Sequence, residues 1–151
     1  MQNNQRINVR PSEVQDVDQL TDLVEQYREF YGQARSEQTR SYLMERISRR
    51  ESVILVAEND DALVGFTQCY PTFSTVSLSA IWLLNDLFVI PDHRRQQVAE
   101  QLMQAAEDAA KEAGATRVWL RTAHTNTPAQ SLYEKRGWVE DEVFKRYDLM
   151  L

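Results

Sequence analysis

A single cysteine, Cys69, in 151 residues excludes an internal disulfide and fits a reducing compartment. No apolar run approaches the roughly 20 residues that a membrane-spanning helix needs. The stretch Met1 to Arg10 is polar, without the apolar core of a signal peptide. These absences predict a cytoplasmic protein with no membrane partner. Positive charge is also short: 17 Lys and Arg against 23 Asp and Glu give a net charge of −6. A main role on nucleic acid needs a basic face, and this balance argues against one. A cationic substrate is compatible with that balance, as is simple solubility. Repeats, linkers and low-complexity segments are missing, so residues 1–151 read as one α/β domain, long enough to bury a core.

What is present is a series of short periodic segments. Arg6 to Arg10 alternates like a half-buried strand that Pro11 ends. Val17, Leu20, Val24, Tyr27 and Tyr31 then recur at helical spacing from about Ser12 to Tyr31, with Ser12 and Gln15 as a capping box. A second helix is expected over about Gln38–Arg49, burying Tyr42, Leu43 and Ile47. Ser52–Ala57 and Ala62–Tyr70 read as hairpin partners around Asn59-Asp60-Asp61, followed by a polar connection, Pro71–Ser79. Ile81–Ile90 is a central strand, apolar on both faces except at Asn85 and Asp86. A long helix follows and ends at Gly114, and Arg117–Arg121 forms a strand parallel to the central one. Thr127-Pro128-Ala129-Gln130 is a capping box that opens a last helix, closed by Gly137. Two terminal strands, around Trp138–Asp141 and Phe144–Leu149, complete a mixed sheet.

The chain is organised around Ile81–Leu102, where a buried strand runs through a turn into a helix N-terminus. Unpaired backbone N–H groups and the positive end of the helix dipole suit a phosphate there, and Arg94 and Arg95 add charge. The run Leu87-Phe-Val-x-Pro-x-x-Arg-Arg-x-x-Val-Ala99 resembles the coenzyme A signature of the GNAT superfamily of N-acetyltransferases, Arg/Gln-x-x-Gly-x-Gly/Ala. Arg94, Val98 and Ala99 match it, whereas Gln97 stands where the family usually has glycine. Downstream, Asn126-Thr-Pro-Ala-Gln-Ser-Leu-Tyr-Glu-Lys-Arg-Gly-Trp138 is similar to the family pattern Asn-x-x-Ala-x-x-x-Tyr-x-x-x-Gly-Phe/Trp. The resemblance covers nearly the whole chain. It implies the GNAT fold: a mixed, mostly antiparallel sheet of six to seven strands with a splayed central parallel pair, flanked by about four helices.

It also implies a cofactor, acetyl-CoA, and residues to hold it. The pyrophosphate would lie on the backbone of Arg95, Gln96, Gln97, Val98, Ala99 and Glu100, with Arg94 anchoring the turn. Glycine at position 97 would allow closer backbone approach, and a glutamine side chain must swing aside. The pantetheine arm would pair with Leu87, Phe88 and Val89, one of whose N–H groups would stabilise the oxyanion. Asn126 and Ala129 occupy cofactor-contact positions. Tyr133 occupies the position of the family's general acid, and a phenol with an ordinary pKa near 10 stays protonated at neutral pH to supply the thiolate.

The base is left open by the residues. Leu84-Asn-Asp-Leu-Phe-Val89 is similar to Leu-Glu-Asp-Phe-Phe-Val of spermidine/spermine acetyltransferase, but the glutamate that is the candidate base there is Asn85 here, which cannot take a proton. Asp86 is adjacent, although neighbouring strand residues face opposite sides. His124 and a water chain are alternatives. The first two helices wall the acceptor site in this family, which makes Tyr27, Tyr31 and Arg35 candidate substrate contacts, with Asn85 beside them; tyrosines at helical spacing also simply pack. No metal is called for. Cys69 has no base beside it in sequence, so attack is direct, in a ternary complex. The acceptor is expected to be a small amine, a polyamine or a basic side chain, in the manner of the histone and polyamine acetyltransferase group. The alternatives are a protein lysine or N-terminal acetyltransferase and a non-catalytic acyl-CoA-binding regulatory domain. A homodimer through the apolar terminal strand Phe144–Leu149 is expected, because a bare edge tends to be covered.

Overall fold

The computed structural model describes residues 6–151, and the chain divides into two compact units, Met1–Leu120 and Arg121–Leu151. The start of the polar Met1–Arg10 stretch, residues 1–5, lies outside the described residues. The first unit contains β1 (Asn8–Pro11), α1 (Val17–Phe30), α2 (Thr39–Arg49), β2 (Val53–Asn59), β3 (Ala62–Ser74), β4 (Ser79–Val89), α3 (Val98–Glu112) and β5 (Arg117–Trp119). The second contains α4 (Thr127–Lys135).

The five strands form one sheet in the order β1-β2-β3-β4-β5. Every pair is antiparallel except β4–β5, which is parallel, as a strand–helix–strand order requires. The β2–β3 hairpin closes on two residues, Asp60 and Asp61, both with positive φ, the backbone that fits a two-residue turn to the twist of its strands. The β3–β4 hairpin is longer than the sequence predicts. Its ladder continues to Ser74↔Ser79, so most of the expected polar connection is strand.

Alternation along β3 distributes the helices. An added Cβ on Gly65 would lie 2.9 Å from the Phe88 carbonyl oxygen and 3.2 Å from Leu102 of α3, so this position has room only for hydrogen where α3 packs. The next residue, Phe66, points the other way, its ring 5.7 Å from Tyr27 of α1. Val17, Leu20, Leu23, Leu43, Ile54, Val56, Phe66 and Phe88 form the core under α1 and α2. Val98, Leu102, Met103, Ala106 and Ala110 bury the matching face of α3.

Three local expectations are corrected. The first helix is preceded by a separate 3-10 turn, Val14–Asp16. Its start is held by Asp16, which accepts the Glu13 N–H at 2.7 Å and pairs with Arg10 at 2.8 Å, rather than by Ser12 and Gln15. In the second unit the cap of α4 is Asn126, whose Oδ1 accepts the Ala129 N–H at 3.3 Å, not Thr127 with Gln130. The sheet has five strands, not six to seven, because neither terminal segment is a strand among the described residues. Asp141 Oδ1 takes the N–H groups of Val143 and Phe144 at 2.8 and 3.1 Å. Arg146 pairs with Asp148 two residues on, at 2.7 Å. The two Asp141 bonds compete with a ladder for the same backbone N–H groups.

Candidate active site

Two features of β4 shape the first unit's cleft. Gln68 pairs with Asp86 but Cys69 pairs with Leu84, so Asn85 is an extra residue on β4. This β-bulge cancels the alternation that would send Asn85 and Asp86 to opposite faces. Both line one cavity of about 320 Å³, together with Val24, Tyr27 and Arg28 of α1, Ser36 and Gln38 of the connecting loop, Thr39, Tyr42 and Leu43 of α2, and Phe66, Gln68 and Tyr70 of β3. The second feature is the short parallel ladder. β5 pairs only with Ile81, Trp82 and Leu83, so Leu87, Phe88 and Val89 lie beyond it.

Asp86 is the charge in the cavity that no cation answers: it has no ion pair among the described residues. Amide donors hold it instead. Asn85 Nδ2 donates to Oδ1 at 3.1 Å and Gln68 Nε2 to Oδ2 at 3.2 Å. Gln68 is oriented in turn by Ser52, whose hydroxyl donates to Gln68 Oε1 at 2.8 Å. Asn85, unable to act as a base, thus positions the carboxylate beside it. Burial, the Asp86 charge and Tyr31 together push the Tyr27 phenol above its usual range. Burial and the hydrogen bond to Tyr42 do the same for Tyr70. The Tyr42 and Tyr70 hydroxyls lie 2.8 Å apart and join α2 to β3 beside the cavity.

The other residues expected at the acceptor site fare differently. Tyr31 does not line the cavity; its ring meets Tyr27 edge-on at 5.1 Å. Arg35 is outside as well, paired with Glu29 at 2.6 Å. Cys69 is fully buried, and burial pushes its thiol up to about 12, which leaves no thiolate for covalent catalysis.

Sequence reasoning missed Glu25. It is a buried carboxylate on α1 that accepts from the Thr39 hydroxyl, from the Ser36 N–H at 3.0 Å and from Arg28 Nη1 at 3.2 Å. The Thr39 bond is the main cause holding its carboxyl below the usual range, against the opposing effect of burial. Glu25 therefore fixes the α1–α2 loop against both helices. A glutamate next to Val24 in a periodic helix carries no sign that it faces inward.

Past β4, Arg94 Nε donates to the Val89 carbonyl at 2.9 Å, with its guanidinium 5.6 Å from the Phe88 ring. Arg94 thereby pins the turn to the strand. Arg95 and Gln97 both adopt the left-handed conformation, with φ of 61° and 62°. Gln97 is the N-cap of α3 and makes no side-chain cap bond. The N–H groups of Val98 and Ala99 open the first helical turn, where the helix itself offers no acceptor. With Gln97 and Arg95 exposed, the donors of this turn fit a pyrophosphate. A non-glycine residue in the left-handed region costs about 1–2 kcal/mol, partly offset by the smaller freedom it has when unfolded. Gln97→Gly is accordingly expected to hold or raise the thermal midpoint and to retain coenzyme A affinity. A lowered midpoint in a thermal melt would refute that account of residue 97.

In the second unit, Asn126 and Ala129 are bonded to each other through the α4 cap. Tyr133 is half-buried, its ring 6.2 Å from Trp138 and its carbonyl accepting the Trp138 N–H at 3.0 Å. The His124 carbonyl accepts from Gln130 Nε2 at 3.1 Å.

Residues 20–138 match the model of the acetyltransferase (GNAT) family. The chain belongs to the GNAT family. It is 44% identical over 144 residues to the uncharacterized N-acetyltransferase YhfO of Bacillus subtilis (strain 168), covering 95% of this chain and 97% of the relative. It superposes on the crystal structure of a probable acetyltransferase with a TM-score of 0.90 at 41% identity, over 95% of this chain and 97% of that one. The aminoglycoside N-acetyltransferase AAC(6')-Iy, solved in complex with CoA, shares the GNAT fold at a TM-score of 0.82 and 17% identity, over 100% of this chain and 99% of that one. This GNAT chain is an N-acetyltransferase, its reaction is acetyl transfer to an amine, and GNAT acetyltransferases use acetyl-CoA as the donor. No helix among the described residues is long and apolar enough to cross a membrane.

Proposed function

We propose that this GNAT enzyme acetylates the primary amine of a small molecule by direct attack in a ternary complex. The observation that carries the reading is Asp86, a carboxylate without a counter-cation among the described residues, in a tyrosine-lined cavity of about 320 Å³. That volume is at the small end for a ligand pocket, and the joined hydroxyls of Tyr42 and Tyr70 link α2 to β3 along its lining. A protein lysine or N-terminus asks for an open groove instead.

Acetyl-CoA supplies an acyl carbon activated as a thioester. The first turn of α3, from Arg95 to Glu100, would hold its pyrophosphate, and the β4 backbone at Leu87, Phe88 and Val89 would take the pantetheine arm and offer the oxyanion donor. Asp86, held by Asn85 and Gln68, binds the acceptor ammonium and keeps hold of the amine as its proton passes to solvent. Tyr27, kept neutral by burial, packs against that amine. Tyr133 takes the role of proton donor to the leaving thiolate from the motif that carries it, as Asn126 and Ala129 take theirs as cofactor contacts. Val98 is buried beneath the turn and supports it. Two copies are expected to associate through the C-terminal segment, where Phe144, Tyr147 and Leu149 are all exposed.

The test is thiol release from acetyl-CoA with a panel of small amines. Asp86→Asn keeps the size of the side chain and removes the charge, so KM for the amine is expected to rise about tenfold, the value of one charge-assisted contact. An unchanged KM would remove Asp86 from the acceptor site.

A further inference from the structure

The cavity holds a second charge, of opposite sign, on its α1 wall. Arg28 is about one-third exposed, and all of its hydrogen bonds use one nitrogen: Nη1 donates to Glu25 Oε1 at 3.2 Å and to the Ala34 carbonyl at 2.9 Å. The Nε and Nη2 donors have no hydrogen-bond partner among the described residues. These two N–H groups form one edge of the guanidinium plane and lie parallel, the arrangement that receives both oxygens of a carboxylate. Glu25 does not fill that edge: its bond to Arg28 goes to Nη1, and its other bonds are to Thr39 and the Ser36 N–H. Its effect is to lock the plane in place and leave the other edge available.

Arg28 and Asp86 line the same cavity, and Tyr27, Phe66, Tyr42 and Tyr70 make much of the rest of its lining aromatic. The molecule that satisfies this wall has a cationic end for Asp86, an apolar middle and an anionic end for Arg28. We infer that the acceptor is a small amino acid-like compound, a primary amine that also carries a carboxylate, with Arg28 as the residue that selects the acid. This rests on the small-amine reading above and narrows it.

The experiment compares acids with their own primary amides: β-alanine, γ-aminobutyrate and ε-aminocaproate, each against its carboxamide, by thiol release at saturating acetyl-CoA. In the two longer pairs the amine is far enough from the acid for amidation to leave its basicity nearly unchanged. In at least one pair kcat/KM is expected to favour the acid by about tenfold or more, because a site built to pair a group discriminates against the analogue that lacks it. In Arg28→Met that ratio is expected to fall to about one. Arg28→Lys keeps the charge and the partner for Glu25 while losing the two-pronged edge, and should give an intermediate ratio. A preference for the acid that survives both substitutions would overturn the inference. Equal turnover of acids and amides would also overturn it and leave the small-amine reading standing, whereas turnover of neither, with acetyl-CoA bound, would remove both.

Discussion

Tyr133→Phe is expected to lower kcat and kcat/KM together, by about 100-fold or more, the usual worth of a positioned general acid. Attack on the thioester develops negative charge on sulfur, and the phenol is the group assigned to neutralise it. Phenylalanine keeps the ring that stands 6.2 Å from Trp138 on the second unit, so the substitution removes the hydroxyl and little else. A loss confined to the chemical step has a second signature. With slow proton donation, rate should recover as the acetyl donor is given a thiol leaving group of lower pKa, which needs no proton. A Tyr133→Phe enzyme with unaltered kcat, or one whose deficit is the same for every leaving group, would assign the donor elsewhere.

Glu25→Ala is expected to cost about 2–3 kcal/mol of folding stability, because it leaves the Thr39 hydroxyl and the Ser36 N–H without their acceptor and removes the carboxylate partner of Arg28. Activity should fall beyond the loss of folded protein, since Glu25 sets the loop and helix residues that line the cavity. The pH dependence has a definite sign. The folded-state pKa of Glu25 lies below its ordinary value, so the folded state binds this proton less readily than the unfolded chain does. The resulting stabilisation is fully present above the ordinary glutamate pKa, near 4, and is lost as pH falls through the lower folded value. Asp16, held down by the Arg10 guanidinium, adds to the same acid limb. Denaturant melts of the native protein and Glu25→Gln should therefore converge as the pH is lowered below about 4. Parallel curves at every pH would mean that the carboxylate charge does not stabilise the fold.

The strand–turn–helix at the centre of the chain was legible because its physics is local. An apolar run, a proline and a periodic helix follow one another in sequence, and Arg94 and Ala99 sit at fixed offsets. The helices α1 to α4 and the β2–β3 hairpin could be read for the same reason. The bulge at Asn85 could not, since an extra residue on β4 exists only relative to the register of β3. Without it, alternation would turn Asn85 to the face opposite Asp86, and the carboxylate would lose that amide donor. Glu25 was hidden because its partners, Ser36 and Thr39, come from a loop and a neighbouring helix. The terminal segments misled in the opposite direction. Phe144 to Leu149 has the composition of a strand, but Asp141 takes the N–H groups of Val143 and Phe144 at its start, and no pattern of apolar residues reveals that. At residue 97 the sequence showed a missing glycine, and the structure shows why glycine suits the position: the backbone there is left-handed, with φ of 62°.

The central claim is that this GNAT chain moves an acetyl group from acetyl-CoA to the nitrogen of a small amine. The most direct measurement incubates the native protein with acetyl-CoA and a panel of small primary amines, then compares thiol released with N-acetylated amine identified by mass spectrometry. At least one amine is expected to be acetylated on nitrogen, in an amount equal to the thiol freed. Acetyl-CoA bound in a calorimeter, with no thiol release above the enzyme-free rate for any amine, would contradict it and leave a coenzyme A-binding domain without this chemistry.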